Sequence, residues 1–139
     1  MDNSAELFKI AKAIKTQILT IAELSSLPIW LFHYPAVTTL GGLVLVTHKS
    51  QQENFERMEC LVDIALKDSR ENFKMLLTNF ELIEKALVGN MKTINDGDGT
   101  SFLILSFLPF GNRITEASAD KVNLYHYRVF SATVIKTSI

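Results

Sequence analysis

The sequence predicts an α+β fold: an antiparallel sheet of four to five strands packed with an N-terminal helix and a central helical pair, in the order α-β-β-α-α-β-β-β. Three observations carry this prediction. Residues 102–110 form a run in which only Ser106 and Pro109 are not apolar, with Asp96-Gly97-Asp98-Gly99 before it and Gly111-Asn112 after it. A run so short, closed by turn residues, reads as a strand covered on both faces. Residues 122–136 separate into two side-chain sets at a period of two, Leu124, His126, Arg128, Phe130, Ala132 and Val134 against Tyr125, Tyr127, Val129, Ser131, Thr133 and Ile135, as along a strand. Residues 7–24 and 73–87 instead repeat apolar side chains every three or four positions, the spacing of a helix packed by one face.

Taken in order, Glu6 stands three residues after Asn3, the spacing of a capping box. Leu7, Ile10, Ile14, Ile21 and Leu24 follow at helical spacing, with Lys9, Lys12, Lys15 and Glu23 on the wet side. This helix is expected to end at Leu24, ahead of Ser25-Ser26 and Pro28. Bulky residues at 29–34 and β-branched ones at 40–47 predict two strands joined by a loop at Pro35. Ser50-Gln51-Gln52-Glu53 repeats the capping-box pattern, and Phe55, Met58, Val62 and Ala65 share a helical face, so a helix is expected from Gln51. The periodicity lapses at 68–71 and resumes at Phe73, Leu76, Phe80, Ile83 and Leu87, up to Gly89-Asn90. A helical pair is the simplest account of 51–88, and one bent helix is the alternative. Residues 91–94 are expected to turn through the Asp-Gly steps into the strand at 101–110. That strand should point Phe102, Ile104 and Ser106 one way and Leu103, Leu105 and Phe107 the other. A polar loop is expected at 115–121.

A chain of 139 residues is the size of one domain, taken as 1–139. Hydrophobic residues make up 47% and charged ones 21%, an apolar surplus that predicts an interface between chains. With 14 basic and 15 acidic residues, no global field draws nucleic acid or an anionic membrane, so the expected partner is another protein or a second copy. The single cysteine, Cys60, leaves no internal disulfide and fits a reducing, cytoplasmic compartment. Residues 27–47 contain no aspartate, glutamate, lysine or arginine and are long enough to cross a bilayer. Pro28, Pro35, Gly41-Gly42 and the β-branched residues instead suit two strands and a turn.

His33, His48 and His126 lie on or beside separate expected strands. None has the close spacing of a metal motif, and no metal or cofactor is expected. His48 is read as capping a strand end and the other two as half-buried among aromatics. Cys60 falls mid-helix beside Glu59, a context that favours a structural thiol over a nucleophile. Asp96-Gly97-Asp98-Gly99 lacks the sixth-position glycine and twelfth-position glutamate of a calcium loop, and Gly41-Gly42 is read as a turn or bulge. Lys9, Lys12 and Lys15 read as solvated. The element order is similar to that of small PAS-like and roadblock-like domains in architecture alone, and no motif accompanies it.

These observations predict a non-enzymatic interaction or assembly module that associates with its own copy through Phe73, Leu76, Phe80, Ile83 and Leu87, a stripe kept over two heptads. The alternative is a small-molecule sensor with a pocket between sheet and helices, walled by Trp30, Phe32, Tyr125, His126, Tyr127 and Arg128. A third is a small enzyme using His126, Arg128 and a carboxylate brought in by the fold.

Overall fold

A computed structural model describes residues 4–35, 41–52, 57–89, 91–119 and 121–137. Its elements are α1 (Ser4–Ile18), β1 (Ile29–Leu31), β2 (Gly42–Gln52), β3 (Arg57–Ser69), α2 (Phe73–Leu87), β4 (Lys92–Asn95), β5 (Ser101–Pro109), β6 (Ile114–Ala117) and β7 (Asn123–Lys136). They form an α+β fold whose sheet has seven strands in the order β1-β2-β3-β7-β5-β4, with β6 also paired to β7. β1 runs parallel to β2 and the other pairings are antiparallel. The sheet is thus larger than the four to five strands expected, and mixed.

The main correction concerns 51–69. Gln51 and Gln52 end β2, and Arg57–Ser69 is a strand. Met58, Val62 and Ala65 fit a helical spacing, but Cys60, Val62, Ile64 and Leu66 at period two are the set that is buried on one face. The outer side of β3 is apolar in places too, at Leu61 and Ala65, and this hid the alternation. Only one half of the expected helical pair is helical, α2. Of the two expected capping boxes, Asn3 and Glu53 lie outside the described residues.

Smaller differences have local causes. α1 stops at Ile18, and a short 3-10 turn at Ala22–Leu24 carries the chain away. β1 ends at Leu31 because Phe32 takes φ 58, a left-handed conformation that an extended strand cannot pass through. In β5 the register slips between Ile104 and Ser106. Leu105 is the extra residue of a bulge, so Phe107 and not Ser106 joins Phe102 and Ile104 in the core. β5 lies between β7 and β4, so the long central pair is β3 and β7, matched from Arg57 to Ser69. The expected polar loop at 115–121 begins with β6, exposed along its length. The hairpin from β4 into β5 forms as the Asp-Gly steps predict, with Gly97 at φ 82 and Gly99 at φ 95.

Both helices lie on one face of the sheet. α1 touches β2 and β4, which stand far apart in the strand order, so the sheet bends around it. Ile10, Ile14 and Ile18 of α1 and Leu76, Phe80, Ile83 and Leu87 of α2 join one core with Leu45, Ile64, Ile104, Phe107 and Phe130 from the sheet. Each such side chain contributes about 1.5–3 kcal/mol by leaving water. The α2 stripe expected to meet a second copy is therefore covered by the chain's own sheet, with only Phe73, 37% exposed, left at its end.

Candidate functional site

The opposite face of the sheet carries a pocket of about 330 Å³, lined by Tyr34, Asp63, Ala65, Glu116, Tyr125, Tyr127 and Val129. Strand register assembles most of it. Asp63 lies opposite Val129, Ala65 opposite Tyr127, and Glu116 opposite Tyr125, and directly opposed residues share a face. Tyr34, from the segment after β1, sets its ring edge-on to Tyr125 with centroids 6.1 Å apart.

Hydrogen bonds hold the polar groups of the pocket. The Tyr127 hydroxyl donates to Glu116 Oε1 at 2.9 Å, and Asp63 Oδ2 pairs with His48 Nε2 at 3.0 Å. The Glu116 hydrogen bond, with some burial, lifts the Tyr127 phenol above its ordinary value, and burial beside Asp63 does the same for Tyr34. Both phenols therefore stay protonated at neutral pH and can donate. The Lys67 ammonium, which is not part of the lining, sits 5.6 Å from the Tyr125 ring centroid on a residue only 1% exposed.

The helix side of β7 holds a different cluster. Glu84 of α2 accepts from Arg113 Nε at 2.8 Å and from Arg128 Nη1 at 3.3 Å, joining α2 to β7 and the β5–β6 connection. Arg113 lies over the Phe80 ring at 5.1 Å. His126 meets the same ring edge-on at 4.8 Å and shares a hydrogen bond with Thr115 Oγ1 through Nδ1 at 2.8 Å. Its Nε2 is buried without a hydrogen-bond partner. Burial first, then the Arg113 charge, lowers the His126 pKa against an opposing pull from Glu84. This cluster brings the histidine, arginine and carboxylate of the third expectation together. His126, however, is 4% exposed, and its ring is held as a packing group.

Of the residues expected to line a ligand pocket, Tyr125 and Tyr127 line this one. The pocket is on the far side of the sheet from the helices. Alternation sends His126 and Arg128 to the helix side. Trp30 covers Gly42, where a Cβ would come within 2.5 Å of its ring, and Phe32 stacks on Phe8 with centroids 6.0 Å apart. Asp63 and Glu116 escape the sequence reading because β3 and β6 are not recognised there as strands, and Tyr34 because it follows β1 and reaches Tyr125 only through the fold. Asp63 at even spacing from Ala65 was the available signal.

The remaining candidates have structural uses. Cys60 is fully buried in β3, and burial pushes its thiol up to about 12, far from a thiolate at neutral pH. His48 and His126 are on opposite faces of the sheet, and among the described residues no group of three His, Cys, Asp or Glu side chains could hold a metal. Asp96 Oδ1 accepts the backbone N–H groups of Asp98 and Thr100, which closes the β4–β5 turn and lowers its pKa. Lys12 bonds the Asp98 carboxylate, tying α1 to that turn. No described helix is long and apolar enough to cross a membrane.

No family model and no curated protein matches the chain. A solved structure similar in fold is a chain of the "Virion of native gene transfer agent (GTA) particle", with a TM-score of 0.67 and 12% sequence identity over 93% of this chain and 96% of that one. At that identity the likeness is one of fold.

Proposed function

We propose that the chain is a structural subunit of a multi-subunit protein particle, working by contact with other chains and not by catalysis. The observation that carries this is the shared fold with the gene transfer agent virion chain, which spans nearly the whole length of both proteins. That chain therefore consists almost entirely of the unit seen here, and it belongs to an assembled particle.

Two features of the surface support the proposal. β1, β4 and β6 each have one side unpaired among the described strands, and such edges invite further pairing. Leu108, Phe110 and Ile114, around the β5–β6 connection, are 53%, 66% and 45% exposed, a local apolar excess of the kind that marks contact surfaces. Association with its own copy through this end of the sheet takes the place of the α2 stripe, and the setting is the cytoplasm, where Cys60 stays reduced.

Sedimentation velocity and negative-stain electron microscopy of the purified chain test this. The expected result is species larger than a monomer that grow with concentration and are lost in Phe110→Glu, with secondary structure unchanged. A wild-type chain that sediments as a monomer at every concentration, with no particles on the grid, would overturn it.

A further inference from the structure

We infer that the pocket on the helix-free face of the sheet receives the guanidinium group of an arginine presented by a partner protein. This goes beyond assembly in general, because it assigns one site and one chemistry to a contact.

Tyr34, Tyr125 and Tyr127 supply three aromatic rings around a volume of about 330 Å³. That is the lower end of the range for small-molecule sites, suited to one side chain and too small for a bulky cofactor. Aromatic walls of this kind attract cations through the negative faces of their rings.

The charge of the lining points the same way. It contains two carboxylates, Asp63 and Glu116, and no lysine or arginine. Asp63 uses Oδ2 for His48, and Glu116 uses Oε1 for the Tyr127 hydroxyl. Neither carboxylate is paired with a lysine or arginine among the described residues, so Asp63 Oδ1 and Glu116 Oε2 can take donors. Lys67 is the nearby opposing charge, and its contact with the Tyr125 ring shows that this ring already serves one cation. With two carboxylates against this one ammonium, the formal charge of the three groups is −1.

Arginine fits better than lysine, because a planar guanidinium can stack between rings while its N–H groups fork to two acceptors. The arginine comes from a different protein. This chain has four arginines. Arg70 donates to the Lys121 carbonyl, Arg113 and Arg128 hold Glu84, and Arg57 has contacts of its own.

The test is an NMR titration of the isolated chain, so its outcome bears on the pocket whether or not the chain assembles. The probes are Nα-acetyl-arginine methylamide, the matching citrulline compound as a neutral isostere, and ethylguanidinium as a free cation. The arginine probe is expected to shift the ring signals of Tyr34, Tyr125 and Tyr127 saturably. The citrulline probe should bind about tenfold or more weakly, a difference of about 1.4 kcal/mol. Asp63→Asn combined with Glu116→Gln should weaken the arginine probe by a similar factor while the amide spectrum stays dispersed. Equal binding of arginine and citrulline probes, or an unchanged affinity in the folded double variant, would overturn the inference. Tighter binding of ethylguanidinium than of the capped arginine would overturn the side-chain assignment in favour of a free organic cation.

Discussion

Replacing Phe80 asks directly whether the apolar stripe of α2 belongs to the core. The side chain is 0% exposed, edge-on to His126 at 4.8 Å, stacked toward Phe130 at 6.5 Å and capped by Arg113 at 5.1 Å. Phe80→Ala removes the transfer free energy of the ring and leaves a cavity that the two strands beneath it cannot fill, about 3–5 kcal/mol in all. At roughly 0.05–0.15 kcal/mol per residue the whole domain holds on the order of 7–20 kcal/mol, so this variant should remain folded. With a urea slope of about 2 kcal/mol per molar, a loss of ~4 kcal/mol moves the unfolding midpoint down by ~2 M. Phe80→Glu buries a carboxylate in the same place and, even with Arg113 beside it, should cost more than Phe80→Ala. A midpoint that stays at the wild-type value in both variants, together with a fall in sedimenting mass, would refute the packing argument. The stripe would then be an interface between copies.

Gly42→Ala places a Cβ within 2.5 Å of the Trp30 ring and 2.8 Å of the Pro28 carbonyl oxygen, and backbone cannot yield cheaply. A loss of about 1–3 kcal/mol in chemical unfolding is expected, and an unchanged midpoint would mean that Trp30 does not lie over β2. Glu84→Ala leaves Arg113 and Arg128, with side chains 28% and 22% exposed, without their shared carboxylate. Partial exposure reduces the cost of a broken buried pair to about 2 kcal/mol, and thermal unfolding within a degree of wild type would count against the cluster. His126 has a folded-state pKa below its ordinary 6.5, so the unfolded chain takes the proton first as pH falls. Its contribution is fully present above about 6.5 and is lost as pH drops through the folded value. Unfolding midpoints of His126→Leu should therefore lose part of the acid-side slope of wild type, and identical slopes would show that the imidazole titrates normally.

How legible the fold was depended on whether one face or both faces of an element are covered. β7 and α2 could be placed from pattern alone, because each has a clear buried set at its own period: Phe130, Ala132 and Val134 in one, Leu76, Phe80, Ile83 and Leu87 in the other. β3 could not. Its outer face is partly covered as well, with Ala65 at 5% and Lys67 at 1% exposure, so apolar residues fall on both parities and imitate a helical spacing. The β5 bulge at Leu105 was invisible for a related reason, since a slip of one residue in a run that is apolar on both sides leaves no trace in hydropathy.

The candidate site was less legible than the fold because it is made by register. Tyr125 and Tyr127 announce a shared face from their spacing, but only the pairing of Asp63 with Val129 and of Glu116 with Tyr125 brings carboxylates to those rings. Those pairings join segments separated by some sixty residues on one side of β7 and by fewer than ten on the other. The same register sends His126 and Arg128 to the helix side, where Glu84 holds Arg128 in a contact between α2 and β7. One strand therefore divides its side chains by parity. The even positions fix the helix against the sheet, and the odd ones leave an aromatic, acidic concavity uncovered by either helix. The proposed role in an assembly would use both: a rigid sheet, and on it a surface whose chemistry selects what it touches.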